Sequence, residues 1–301
     1  MKILILRAGA LGDTLMLMPV ITAMRGEHEI ILAGRTPGIE YLKPWVDRVI
    51  DLERGEWHRL YTPHARFDSL LTTPHQVIGF LNDTDNIILD NLSHLFPDAK
   101  IDIFPPFPAP DNRSHVAFYM AKAIQSACIN IDPHIAFDEA FKKPMMGPKR
   151  GKGKRIVLHP GSGSRDKNYP PQFWLDLLRG IKEENLSGAF DINVLIGPAE
   201  EDIVKAFDNK REVCISQDRE QLLSVLNNSF LYIGHDSGVT HLAAMMGINT
   251  IALFRGSSIT NWQPTGPCVN IVEESGSMKS ILDQTLALAL GMIRQTGDTC
   301  T

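Results

Sequence analysis

Apolar and polar positions divide this chain into short continuous apolar runs and longer stretches with a 3.6-residue rhythm, alternating along its length. Met1–Leu6 (MKILIL) is a run of the kind found in a buried parallel strand. From Thr14 to Arg25 nearly every residue is apolar, which predicts a well-buried helix. Pro19 lacks the N–H that would reach Leu15, so a kink is expected there. Glu29–Ala33 predicts a second strand, Thr36-Pro37 the start of a helix, and Val46–Leu52 a third strand. Glu53–Pro74 is charged, aromatic and histidine-bearing, with little periodicity. Asn86–Asp90 (NIILD) reads as a strand, proline-rich Ile101–Pro110 as a loop and His115–Cys128 as a helix.

The same rhythm restarts at Arg155–His159 (RIVLH), a strand running into Pro160-Gly161-Ser162-Gly163-Ser164. Pro170-Pro171 opens a helix with Phe173, Trp174, Leu177, Leu178 and Ile181 on one face. Asp191–Ile196, Glu200–Phe207, Glu212–Ile215 and Arg219–Asn227 then read as strand, helix, strand and helix. Leu231–Phe254 (LYIGHDSGVTHLAAMMGINTIALF) is strand, tight turn, helix, strand: the first run halts at Gly234, and Gly247 closes the helix. Ser280–Ile293 is a last helix, free to pack back on the first half. Strands alternating with helices mean parallel βαβ units. The expected class is therefore α/β, with two Rossmann-like parallel-sheet domains facing across a cleft.

Length and charge refine this picture. At 301 residues the chain suits two domains of about 150 residues each. The stretch Lys142–Arg155 holds seven basic residues and no acid, and places the boundary at residues 1–150 and 151–301. Its basic run is either a solvated linker or a contact with an anionic lipid surface. A net charge of −5 and a pI near 6.1 argue against nucleic-acid binding. Cys128, Cys214, Cys268 and Cys300 are scattered, as free thiols in a reducing compartment would be. Asp13 and the glycines interrupt any signal-like core, and Leu15–Ala23 falls short of the roughly 20 residues that span a bilayer. The expected location is the cytoplasm.

The candidate chemistry lies in loops that follow predicted strands, the edge where open α/β sheets bind ligands. Gly9-Ala10-Leu11-Gly12-Asp13 matches neither the dinucleotide fingerprint nor a P-loop. Asp13 there is either a helix cap or a general base. In the second half, Lys167 beside Ser162 and Gly163 is either a surface lysine or a phosphate clamp. Glu200 and Glu201, after Gly197-Pro198, favour a helix dipole or hold ribose hydroxyls. Asp236, Ser237 and Gly238 open a helix whose N–H groups suit a phosphate; alternatively Asp236 or Ser237 is only its N-cap and Gly238 serves the turn alone. His241, off the apolar stripe, faces the same ligand or is a core histidine.

Taken together, MKILILRAGALGDTL, HPGSGSRDKNYPPQFW, IGPAEED and GHDSGVTHLAAMMGINTIALF resemble the ADP-heptose:lipopolysaccharide heptosyltransferases, glycosyltransferase family 9. The resemblance implies a GT-B fold and transfer, with inversion and without a cofactor or bound metal, of heptose from ADP-L-glycero-D-manno-heptose to a lipopolysaccharide inner-core acceptor. By motif, Asp13 corresponds to the catalytic base. Ser162, Gly163 and Lys167 fall in the donor-phosphate loop, Glu200 or Glu201 at the ribose, and Asp236, Ser237, Gly238 and His241 in the diphosphate-and-sugar motif. The implied partners are an ADP-sugar and an anionic lipopolysaccharide core, with peripheral contact at the inner membrane surface and a monomeric enzyme. Gly9, Gly12, Arg59, His64 and Arg66 are the candidate acceptor contacts. Two departures stand out: His235 before the Asp, and Arg255-Gly256-Ser257-Ser258 where the family commonly has Gly-Pro-Thr. An epimerase, a transferase using another nucleotide-sugar and a non-catalytic sugar-nucleotide binder remain the alternatives.

Overall fold

The computed structural model describes residues 1–67, 73–147, 153–184, 188–197, 207, 213–216 and 218–297. The chain divides into two compact units, Met1–Glu139 and Ala140–Thr301. In the first unit the elements are β1 (Lys2–Arg7), α1 (Leu11–Leu15), α2 (Met18–Met24), β2 (Glu29–Gly34), α3 (Gly38–Leu42) and β3 (Arg48–Asp51). They continue with β4 (Gln76–Phe80), α4 (Ile87–Leu95), β5 (Lys100–Phe104), α5 (Val116–Ser126) and α6 (Pro133–Lys142), which runs on into the second unit. Its five strands form a parallel sheet in the order β3-β2-β1-β4-β5. Beyond Lys2, β1 is buried on both faces. Leu4 and Leu6 pack with Ile31, Val77 and Trp57, while Ile3 and Ile5 fill the opposite side.

The second unit contains β6 (Arg155–His159), α7 (Pro171–Glu184), β7 (Asp191–Ile196), β8 (Val213–Ile215), α8 (Arg219–Asn227) and β9 (Ser229–His235). After these come α9 (Gly238–Met245), β10 (Asn249–Phe254), α10 (Ile259–Trp262), β11 (Val269–Glu273) and α11 (Met278–Gly297). Its six-stranded parallel sheet runs β11-β10-β9-β6-β7-β8. Phe173, Trp174, Leu177, Leu178 and Ile181 of α7 are all buried against it, the face read from their spacing. The final helix, α11, packs on α7: a Cβ on Gly180 would come within 2.7 Å of Leu286, and Arg294 pairs with Glu184 at 3.0 Å.

In both sheets the first strand lies between its successor and a later strand. β1 separates β2 from β4, and β6 separates β7 from β9. The direction of winding reverses at β1/β4 and at β6/β9, opening a crevice at the carboxyl edge of each sheet.

Several predicted elements differ. Asn86–Asp90 opens helix α4. Asn86 is left-handed at φ 57, and the Asp83 carboxylate accepts from the N–H groups of Ile88 and Leu89 at 2.9 and 2.8 Å. A carboxylate on those free donors favours a helix start, and Ile88 and Leu92, four apart, face the core. The strand of this region is β4, and β5 occupies the first half of the expected loop, because the prolines begin only at Pro105. The Thr14–Arg25 helix is two helices. The chain breaks at Met16-Leu17, which places Pro19 in the first turn of α2, where no N–H is required. Strand β9 runs through Gly234 to His235. The predicted helix Glu200–Phe207 lies outside the described residues except for Phe207.

Candidate functional site

Pairing of His159 with Gly234 brings the ends of β6 and β9 side by side, so the loops after them share one crevice. The loop after β9 is Asp236-Ser237. Ser237 caps α9, its hydroxyl accepting from the Thr240 N–H at 3.4 Å, and the positive end of the helix dipole opens at this edge. The loop after β6 carries Ser162 and Gly163 and ends in a 3-10 turn, Arg165–Lys167.

The two loops meet at Asp236. Its carboxylate, 7% exposed, takes the Lys167 ammonium at 2.8 Å on Oδ2 and faces His241 Nε2 at 3.5 Å on Oδ1. Burial alone would raise its pKa. The hydrogen bonds from His241 and Lys167, with the Lys167 charge, outweigh burial and hold it at about 2. His241 is itself buried, and its Nδ1 has no hydrogen-bond partner among the described residues.

Beneath this cluster lies a buried polar network that no local sequence pattern marks. His235 accepts the Tyr169 N–H on Nε2 at 2.9 Å, so the proton of its neutral ring sits on Nδ1. Burial and then the neighbouring His159 press its pKa down to about 3, with the Pro160 carbonyl a partial counterweight. His159 Nδ1 lies 2.8 Å from the Tyr232 hydroxyl, and burial lowers its pKa to about 4. The Tyr232 hydroxyl is 3.2 Å from Thr240 Oγ1, which donates to the His235 carbonyl. A Cβ on Gly234 would stand 2.6 Å from the Tyr232 hydroxyl, so glycine is required there. This network pins the end of β9 and the start of α9 in one geometry.

Ser162 spends its hydroxyl on its own loop, 2.8 Å from the Ser164 carbonyl and 2.7 Å from Asn168 Oδ1. Gly163 is open: a Cβ there would meet nothing within 4 Å. Gly238 begins α9. Glu200 and Glu201 lie outside the described residues. Arg255 braces the loop after β6. Nη1 donates to the Asn168 carbonyl at 2.9 Å, Nε meets Glu274 at 3.0 Å, and the guanidinium stands 5.5 Å from the Tyr169 ring centre. A lone basic residue just past the end of a strand is the only sequence signal that marked it.

In the first unit, Asp13 sits in the first turn of α1. Its Oδ2 accepts the Ala10 N–H at 3.0 Å, so it does cap the helix, while Oδ1 has no hydrogen-bond partner among the described residues. Gly9 is required, since a Cβ there would lie 2.5 Å from that of Asp13; Gly12 lies within α1. Arg7, 1% exposed, donates from Nη1 to the Pro106 carbonyl at 2.8 Å and stands over the Phe107 ring. Burial lowers its pKa and attraction to Asp13 opposes that shift.

His64 and Arg66 come together on a cavity of about 480 Å³ beside α4, with Asp85, Asp90 and His94. Arg59 is outside that lining: it pairs with Glu56 at 2.7 Å and donates to the Arg66 carbonyl at 3.0 Å, supporting the wall. Among the described residues no three His, Cys, Asp or Glu side chains form a metal site, and no helix is long and apolar enough to cross a membrane.

The profile of glycosyltransferase family 9 (heptosyltransferase) matches residues 111–286. No curated protein sequence matches. Among solved structures, E. coli heptosyltransferase WaaC with ADP superposes with a TM-score of 0.67 at 13% identity, over 95% of this chain and 99% of that one. E. coli ADP-heptose lps heptosyltransferase II gives 0.66 at 15%, over 98% of each chain. A glycosyl transferase of family 9 from Veillonella parvula DSM 2008 gives 0.65 at 15%, over 94% and 90%. At these identities the likeness is one of fold, the GT-B pair of parallel-sheet α/β domains.

Proposed function

Since this chain belongs to glycosyltransferase family 9 and is a glycosyltransferase of the heptosyltransferase type, we propose that it moves a heptose from ADP-L-glycero-D-manno-heptose to the anionic inner core of lipopolysaccharide. The observation that carries this reading is the meeting of Lys167, Asp236 and His241 at the β6/β9 crevice, in front of the α9 N-terminus. A diphosphate there would receive the N–H groups around Ser237 and Gly238 and approach over the open side of Gly163. Ser162 shapes the loop, and Glu200 or Glu201 holds the ribose.

The reaction is a single displacement without a metal. An acceptor hydroxyl attacks C1 of the heptose from the face opposite ADP, the bond from C1 to the phosphate oxygen breaks, and the configuration inverts. The proton passes to Asp13, whose Oδ1 is available while Oδ2 is held by Ala10. The electron pair leaves on the diphosphate, where Lys167 and the helix N–H groups stabilise it. The acceptor is held by the first unit, through the Gly9–Gly12 loop and the cavity of His64 and Arg66, with Arg59 behind it. Arg66 meets an anionic group and the Asp85 and Asp90 carboxylates accept sugar hydroxyls. The enzyme works as a monomer on the cytoplasmic face of the inner membrane, touching anionic lipid through Lys142–Arg155.

Two measurements test the reading. Mass spectrometry of products from ADP-heptose and a panel of truncated cores should show one heptose added to one core; hydrolysis or epimerisation without acceptor refutes the transfer. Asp13→Ala should lower kcat by roughly 10² or more with ADP affinity unchanged. Unchanged turnover removes Asp13 as the base.

A further inference from the structure

The transfer described above leaves one feature of the first unit unused, the buried guanidinium of Arg7. Removing such a charge from water is costly unless its donors are taken up. Nη1 donates to the Pro106 carbonyl and Nε to the Asp13 carbonyl at 3.4 Å, while the buried Nη2 has no hydrogen-bond partner among the described residues. The charge also faces the Phe107 ring, whose centre lies 4.8 Å from Cζ. Arg7 ends β1 and Phe107 follows β5, with β4 between them in the sheet, so their contact spans the carboxyl edge. Phe107 keeps 40% of its surface exposed, whereas Phe80 of the same sheet is buried. The ring is nonetheless held in place. Both residues before it are prolines with restricted φ, and both of their carbonyls are pinned, Pro105 by the Tyr119 hydroxyl at 2.9 Å and Pro106 by Arg7. An exposed aromatic on so constrained a backbone is preorganised for a ligand.

We propose that Phe107 is the platform on which a sugar ring of the acceptor stacks beside Asp13. The inference rests on the reading given above, in which the first unit holds the acceptor and Asp13 is the base. The face of a pyranose that carries its C–H groups is apolar, with slightly positive hydrogens. The face of an aromatic ring is apolar and slightly negative, so the two stack and release water from both. Stacking asks for an exposed ring that does not swing, which is what the pinned Pro105-Pro106 segment and the Arg7 guanidinium supply. The same guanidinium touches the ring and the segment that carries the base, so a sugar held on Phe107 has its hydroxyls close to Asp13. Its charge disfavours a cation on the exposed part of the ring and favours the anionic sugars of a lipopolysaccharide core.

Initial-rate kinetics test this, with ADP-heptose saturating and each deacylated core of the truncation panel varied in turn; deacylation removes any contribution from lipid contact. Phe107→Leu, apolar but not aromatic, should raise the acceptor KM roughly three- to tenfold and leave the ADP-heptose KM and the melting temperature as in the wild type. Phe107→Tyr keeps the ring and should restore the acceptor KM. A wild-type acceptor KM in Phe107→Leu overturns the platform, and so does a rise that Phe107→Tyr shares. A rise accompanied by a lower melting temperature makes Phe107 a packing residue and overturns it as well. So does a Phe107→Leu variant that loses binding to anionic vesicles but not to the deacylated core, which would make the ring a membrane contact. In each of these cases transfer by the wild type leaves the functional reading standing. Absence of transfer from ADP-heptose to every core in the wild type overturns that reading, and the platform with it.

Discussion

Replacing Asp236 by Asn should remove one group's share of the dependence of folding stability on pH in the acid range. In the folded protein the carboxyl titrates at about 2 against an ordinary value of 3.8, the hydrogen bonds from His241 and Lys167 outweighing burial. A depressed pKa stabilises the fold above the unfolded value, and that contribution disappears as pH falls through the folded one. The shift corresponds to about 2 kcal/mol at pH 7, of which roughly half is gone by pH 3. Asn keeps the shape and cannot ionise, so subtracting the two stability curves isolates this group. Urea unfolding followed by circular dichroism at intervals from pH 7 to 3 should show the wild-type advantage narrowing by about 1 kcal/mol, roughly three-quarters of it below pH 4. A gap constant across that range would mean that Asp236 is not held ionised by its partners, and would remove the basis for pairing it with Lys167.

Other substitutions separate support of the fold from contact with ligand. Gly163→Ala should leave the melting temperature unchanged, since its Cβ meets nothing, yet weaken ADP binding in calorimetry by roughly tenfold, about 1.4 kcal/mol. Gly234→Ala forces the Tyr232 hydroxyl aside and should destabilise by about 1–3 kcal/mol in urea unfolding. Tyr232→Phe strips His159 Nδ1 of its partner and should cost about 1–3 kcal/mol. Trp174→Ala, in the α7 face of the second core, should cost about 3–5 kcal/mol by the same measurement.

Where local pattern and tertiary packing agreed, the sequence was a sound guide. The runs MKILIL and RIVLH are strands because no polar side chain interrupts them, and α7 was legible down to its buried face. Between Glu53 and Pro110 the signals that decide the elements are not local. NIILD is apolar enough for a strand, but the Asp83 carboxylate on its N–H groups and the left-handed Asn86 start a helix there. β4 and β5 are too short to announce themselves beside a proline-rich tract, and they become strands by pairing with β1 and with each other.

The candidate site shows the same division. Loop composition and order along the chain were enough to single out Asp13, Lys167, Asp236 and His241, because glycines and capping residues must follow strands wherever such a sheet turns into a helix. Which of these groups touch was decided by folding alone. Parallel pairing of β6 with β9 brings Lys167 to Asp236 across 69 residues of sequence. The same pairing buries His159, Tyr232 and His235 as a neutral polar support, and the end of β10 carries Arg255 to the Asn168 carbonyl. A sequence fixes the chemistry each residue brings and the period of its neighbourhood; strand order determines which distant groups lose water together, and that shared burial turns a lysine and an aspartate into a pair.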